Sequence, residues 1–276
     1  MNVCGEVWSP DKTSEYFNIV LPDLFLSQKD VCKKFDMVVV DEGQDLLKDR
    51  YLSCLDVLIK GGLEGGCWSI FFDPNQNLFN TQSELDNILL QLRNVAASYI
   101  LTVNCRNTKQ IANANTLITN IPQASKIKAS GPNVEYYKYS SLSEEFSLLV
   151  KLLVNLKADG IIGQDVVLMS AYSIENPRCC LFQRELPSEV GKIKADGYIW
   201  QAKKNELRFS TISGFKGLEA KIVILLDVDA FADEQRRLMN YVAVSRACAA
   251  LYVFYDASVD DERQLMLASG YTKLVK

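Results

Sequence analysis

The chain has 276 residues, 48% hydrophobic and 23% charged, enough apolar material for the core of one large or two ordinary globular domains. A net charge of −4 excludes an overall basic field, so any nucleic-acid partner must be held by a local groove. The absence of histidine excludes mixed Cys/His zinc sites and histidine acid–base chemistry, and the 8 scattered cysteines form no Cys-x-x-Cys pair, the usage of a reduced, cytosolic protein.

Taken in chain order, helical and extended patterns alternate. The first twelve residues lack a basic region followed by an apolar core, so no signal peptide is expected. Phe35–Val40 reads as a buried strand with an acidic end, and Leu46–Ile59 as a helix stopped by Gly61 and Gly62. A second short strand is expected at Trp68–Phe72, a helix at Ser83–Arg93, a strand at Ser98–Val103 and a helix at Thr108–Thr119. Val134–Tyr139 (strand), Glu144–Leu156 (helix) and Val166–Ser170 (strand) follow. Weak periodicity with Pro177 and Pro187 makes 172–206 irregular, with room for one short helix. Leu207–Ile212 and Lys221–Asp227 read as strands around a glycine-bearing loop, Asp233–Ala247 as a helix and Leu251–Tyr255 as a closing strand. Strands separated by helices of this length predict an α/β fold with parallel sheets wrapped by helices. The longest apolar run, Ile222–Leu226, is too short to span a bilayer, so no membrane partner is expected.

Five strings carry chemistry. In Asp41-Glu42-Gly43-Gln44-Asp45 a β-branched strand ends in adjacent carboxylates, which suits either a Mg²⁺ site beside a general base or an acidic turn capped by Asp45. Gln76, in Phe72-Asp73-Pro74-Asn75-Gln76, has an amide that can donate and accept, placing it as a phosphate sensor or as part of a plain Pro-Asn turn. Arg106 and Arg246 carry planar forks suited to phosphate oxygens, or to ordinary ion pairs and helix ends. The string from Thr211 to Glu219 sets Gly214 and Gly217 around Lys216. It is either a loop for nucleotide sugar or nucleic-acid backbone, or a flexible crossover.

In their order, Asp-Glu-Gly-Gln-Asp (41–45), Phe-Asp-Pro-Asn-Gln (72–76), Asn-Cys-Arg-Asn-Thr (104–108), Lys-Gly-Leu-Glu (216–219) and Tyr-Val-Ala-Val-Ser-Arg-Ala (241–247) resemble the successive motifs of UvrD/Rep-type superfamily 1 DNA helicases. The resemblance implies a partial first RecA-like domain over 1–103 and a complete second one over 104–276. It implies ATP and Mg²⁺ as cofactors, Asp41 as the Mg²⁺ ligand, Glu42 as the residue activating water, and Gln76 as the γ-phosphate sensor. Arg106 and Arg246 become arginine fingers. Lys216, Gly217 and Glu219 lie at the nucleotide, with Glu219 on its sugar. Thr211, Ser213 and Lys216 lie near single-stranded DNA, and Phe79 is the remaining candidate for stacking on a base.

The pattern departs from the family in lacking a Gly-x-x-x-x-Gly-Lys-Ser/Thr phosphate loop. This implies weak ATP binding and no hydrolysis by this chain alone. The partners implied are single-stranded or partly duplex DNA and an N-terminal segment or second chain carrying the loop. The alternative is a degenerate helicase-like module acting as a non-catalytic nucleic-acid or protein interaction domain.

Overall fold

A computed structural model describes residues 13, 15–76, 82–123, 126–195 and 202–274. The chain divides into two compact units, 1–100 and 101–276.

In the first unit, α1 (Leu21–Ser27) precedes strand β1 (Met37–Val40), which pairs in parallel with β2 (Cys67–Ile70). The connection holds α2 (Asp49–Leu58) and the one-turn α3 (Gly62–Gly65), and α4 (Gln82–Arg93) follows β2. Successive strand residues face opposite sides. Val40 is buried, while Met37 and Val39 are exposed together with Phe71 just beyond β2. Leu47, Leu52, Leu85 and Ile88 form the core of this unit, with Ile70 packed against it. The face bearing Met37 and Val39 has no covering layer among the described residues, unusual for a parallel sheet, whose two faces are normally both covered.

The second unit is larger. Strand β3 (Val103–Thr108) runs into α5 (Lys109–Thr119), whose N-cap Thr108 accepts from the Ile111 amide. β3 pairs in parallel with β4 (Lys126–Ala129). Then come β5 (Glu135–Tyr139), α6 (Leu142–Ala158), β6 (Val166–Ser170), β7 (Lys192–Lys194), β8 (Glu206–Thr211), β9 (Ala220–Val228), α7 (Glu234–Ser245), β10 (Ala247–Asp256) and α8 (Asp260–Leu274). Six strands form one parallel sheet in the order β5-β10-β9-β6-β8-β7. All five residues of β6 are buried, as are most of β9, because helices cover both faces. One cluster packs Leu149, Leu152 and Leu153 of α6 on Leu168, Ile224 and Phe254.

The expected α/β class with parallel sheets and flanking helices is therefore present, and most strands fall where periodicity put them. Three local readings need correction. Ser98–Val103 is not a strand: 97–102 is irregular, and Tyr99, Ile100 and Leu101 are each more than 80% exposed. The polar string thought to follow a strand is itself β3. Its Asn107 side chain donates to the carbonyls of Ser245 (3.1 Å) and Ala247 (2.6 Å), so polar anchoring takes the place of apolar burial. In 172–206, the described residues form turns, irregular chain, the edge strand β7 and the first residue of β8, with no helix. The helix α8 was not anticipated; among its described residues it buries only Met266 and Gly270, too few to leave a periodic signature. No described helix is long and apolar enough to cross a membrane.

Candidate functional site

The candidate residues divide between the two units. In the first, β1 delivers Asp41 and Glu42 to the carboxyl end of the two-stranded sheet, the edge at which parallel α/β sheets place ligands. Glu42 occupies a left-handed conformation, φ 52° and ψ 39°, uncommon for a residue with a Cβ. Its amide donates to Asp41 Oδ1 at 2.9 Å. Beneath it Gly43 is forced by close approach. A Cβ there would meet Ile70 Cγ2 and the Phe71 carbonyl, and the Gly43 amide donates to that carbonyl at 2.8 Å.

The fully buried Gln44, to which the sequence alone assigned no role, organises this edge. Its Nε2 donates to Glu42 Oε2 at 2.5 Å, and its Oε1 accepts from the Asp73 amide at 3.1 Å. Asp73 in turn accepts from Gln76 Nε2 at 2.9 Å and from the Asn75 amide at 2.9 Å. A polar chain thus runs Glu42, Gln44, Asp73, Gln76 and brings the first two motifs together. Asp41 and Glu42 offer oxygen donors only, which fits the chemistry of Mg²⁺. Phe79 lies outside the described residues.

In the second unit the amino ends of β9 and β10 are level, since Ala220 pairs with Ala247. Glu219 and Arg246, each one residue before its strand, therefore sit at one edge. Arg106 of β3 joins them: its Nε lies 2.9 Å from Glu219 Oε2, a pair 113 residues apart in sequence. Both side chains are solvent-accessible, 38% and 59%. Arg246 is 1% exposed. Its Nε donates to the Val242 carbonyl at 3.3 Å and its Nη1 to the Leu218 carbonyl at 3.4 Å, so it also holds the approach to β9. Cys248 borders this edge, and burial, followed by the nearby Glu219 carboxylate, pushes its thiol up from the ordinary value. A cavity of about 440 Å³ beside it is lined by Glu219, Arg208, Lys221, Asp165 and Cys248.

The loop from Thr211 to Glu219 straps across the sheet. Thr211 is level with Ser170 of β6, and Ser170 with Leu226 of β9. Thr211 therefore lies at the carboxyl edge, and six residues of strand rise, about 20 Å, separate it from the Ala220 level. Buried Ile212 and Phe215 fasten the strap, the Gly214 amide donates to Thr211 Oγ1 at 3.1 Å, and Gly217 supplies a left-handed turn with φ 78°. Ser213 is exposed and Lys216 half-buried along it. The nucleotide candidates Arg106, Glu219 and Arg246 are thus gathered at one edge, while Thr211 begins at the other.

Residues 206–254 match the family model of the UvrD-like helicase C-terminal domain. That stretch of the chain is similar to the UvrD-like family. It contains Thr211, Ser213, Lys216, Gly217, Glu219 and Arg246, and leaves Asp41, Glu42, Gln76 and Arg106 outside. Among solved structures, the C-terminal domain of a possible DNA helicase from Lactobacillus plantarum WCFS1 aligns at 16% identity and a TM-score of 0.42, covering 58% of this chain and 88% of that one. No curated protein matches the sequence.

Proposed function

We propose that this chain is the C-terminal part of a UvrD-like ATP-dependent DNA helicase or translocase, and that ATP hydrolysis and movement on single-stranded DNA belong to the complete protein. The observation that carries the reading is the amino edge of the six-stranded sheet. There Arg106 and Glu219 pair at 2.9 Å and Arg246 binds the Leu218 carbonyl, so strings scattered over 140 residues meet within the UvrD-like part and beside it.

In this reading Asp41 would hold Mg²⁺, which neutralises phosphate charge when bound. Glu42, fixed by Gln44, orients or deprotonates the attacking water. Gln76 senses the γ-phosphate and reports to Glu42 through Asp73 and Gln44. Arg106 and Arg246 act as arginine fingers, with Arg106 leaving Glu219 to reach phosphate, and Glu219, Lys216 and Gly217 contact the nucleotide. Thr211, Ser213 and Lys216 contact the single strand. The phosphate loop comes from an N-terminal segment or another chain, and without it this chain binds ATP weakly and does not hydrolyse it.

A second reading, a non-catalytic nucleic-acid or protein interaction module, is favoured by the burial of Arg246, which donates to the backbone carbonyls of Val242 and Leu218. ATPase assays with and without single-stranded DNA separate the two. The helicase reading expects no turnover by this chain alone. It expects DNA-stimulated turnover once a phosphate-loop polypeptide is supplied, cut about 10²-fold or more by Glu42→Gln. Failure to hydrolyse ATP with the loop supplied selects the non-catalytic module. DNA-stimulated turnover by this chain alone, abolished by Glu42→Gln, overturns the inactivity.

A further inference from the structure

In the six-stranded sheet, the chain leaving β6 heads toward β7 and β8 on one side, and the chain leaving β9 heads toward β10 on the other. Connections that depart in opposite directions open a crevice outside the carboxyl ends of the two strands. Its surface layer carries two cations. Arg236, in the first turn of α7, lies 4.8 Å from the Tyr172 ring centroid and donates to the phenol oxygen at 2.6 Å. Arg178 lies 5.6 Å from the same centroid and donates to the same oxygen at 3.1 Å. The phenol hydrogen-bonds to Asp229, which also pairs with Arg236 Nε at 3.4 Å. The layer beneath them is less complete.

Three buried side chains from distant segments meet there: Glu145 of α6, Cys180 of the turns between β6 and β7, and Asp227 near the end of β9. A carboxylate oxygen of each acid and Cys180 Sγ all lie within 4.8 Å of one another, the one such trio of acidic and thiol groups among the described residues. Asp227 is well supplied with donors. Its Oδ2 accepts from Ser170 Oγ at 2.5 Å and its Oδ1 from the Cys180 amide at 2.8 Å, while Ser170 Oγ accepts from the Tyr172 amide at 3.0 Å. Glu145 is not. Its Oε1 accepts from the Asp227 amide at 2.8 Å, but the buried Oε2 has no hydrogen-bond partner among the described residues. The Tyr139 phenol approaches Glu145 and still leaves Oε2 unsatisfied.

Helix α6 does not need this carboxylate to start. Its neighbour Glu144 accepts from the Ser140 amide at 2.8 Å and gives its own amide to Ser141 Oγ at 3.2 Å. Glu145 instead shares the buried face of Leu149, Leu152 and Leu153. Two carboxyl groups brought together out of water are costly unless a proton or a cation joins them. The donor set selects among cations. Mg²⁺ and Ca²⁺ take oxygen, whereas a thiolate favours a softer ion. Zinc accepts thiolate and carboxylate together in closed, four-coordinate structural sites, and it needs no histidine to do so. The Cys179 thiol, hydrogen-bonded to that of Cys180, stands beside the trio as a fourth donor.

We propose that Glu145, Cys180 and Asp227 form a buried structural site for a divalent cation of the zinc class. The site is independent of the helicase reading and of the Mg²⁺ carboxylates in the first unit. Bound metal ties α6, the turn carrying Arg178 and the end of β9 to one point, which fixes the surface cations above it. The ligands give up their protons to solvent as the metal enters, and in the metal-free protein a proton joins the two carboxyl groups instead. Because all three side chains are buried, the metal loads during folding or through local opening.

The test is a Co²⁺ titration of the full chain, stripped by chelator under denaturing conditions and refolded, with Zn²⁺ as competitor. Cobalt bound by a thiolate gives a near-ultraviolet charge-transfer band. Wild type is expected to take one ion with that band, and zinc is expected to displace it. Free zinc at about 100 times Kd should raise the melting temperature by about 5–10 °C. Cys180→Ser should abolish the band, Glu145→Gln should weaken binding about 10-fold or more, and Cys67→Ser, on an exposed cysteine of the first unit, should change neither. A band that survives in C180S or disappears in C67S places the metal on other thiols and overturns the site. So does binding by E145Q, which keeps the side-chain volume, as tight as wild type. Metal content of the chain purified from zinc-supplemented growth, and its melting with and without chelator, need no refolding. No retained zinc together with no shift in melting overturns the site and leaves a proton between the two carboxyl groups.

Discussion

The two edges of the six-stranded sheet are built on opposite principles. At the amino edge, Arg106 and Glu219 form a solvent-accessible ion pair, and only Arg246 is sunk into the fold. At the carboxyl edge the surface cations stand on a buried lattice of Ser170, Asp227, Glu145 and the Cys180 amide. An exposed pair can separate at little cost, because water and salt screen it. A buried polar lattice cannot, because every broken bond leaves a desolvated group. The first edge is suited to a residue that changes partners, and the second to holding charges in a fixed place.

Substitutions can break this contrast. The strap joining the edges should give the largest effect. Phe215→Ala empties a fully buried site and is expected to cost about 3–5 kcal/mol in urea unfolding, destabilising both edges at once. Asp227→Ala comes next, at about 2–4 kcal/mol, because Ser170 and Cys180 lose their buried acceptor. Asp227→Asn should cost less, since asparagine tolerates φ 58° and still accepts one of those bonds. If the alanine variant unfolds at the wild-type midpoint, the lattice is not what holds this edge.

A smaller effect is expected with pH. Burial, and then the Asp227 charge, pushes the Glu145 carboxyl from 4.5 up to about 10. A raised carboxylate pKa means the folded state keeps a proton that the unfolded chain has lost. Its contribution is therefore complete below about pH 4.5 and drains as pH rises toward 10. Unfolding midpoints should fall between about pH 6 and about pH 9 in metal-free wild type, and fall less in Glu145→Gln. An identical pH profile in the two proteins would show that Glu145 does not hold the proton. The smallest change is expected at the amino edge: Arg106→Ala should alter stability by less than about 1 kcal/mol. A larger loss would make that pair structural and remove the contrast.

The strands β6, β9 and β10 were legible because a strand covered on both faces must be apolar along most of its length, a local property. Tyr99-Ile100-Leu101 has the same local character and misled, since those side chains lie in solvent while the polar string after them forms β3. Its pairing with β4 and the anchoring of Asn107 to carbonyls 138 and 140 residues away leave no trace in a local window. The candidate site divides likewise. Asp41, Glu42, Gln76, Arg106, Glu219 and Arg246 could be picked out by their order, but Gln44's bridge to Asp73 could not. Tyr172 and Arg178 stood in a stretch legible only as irregular.

The sequence by itself determined the alternation of buried strands and amphipathic helices, hence a parallel α/β architecture, and it supplied the ordered strings of the helicase resemblance. Both are carried by residue type and spacing along the chain. Tertiary structure alone decided that β6 and β9 lie side by side with their connections departing in opposite directions. It also decided that Arg106 meets Glu219, and that two arginines 58 residues apart share one tyrosine. The register of a parallel sheet is fixed by contacts between segments far apart in sequence, so the crevice it opens is written in no single segment.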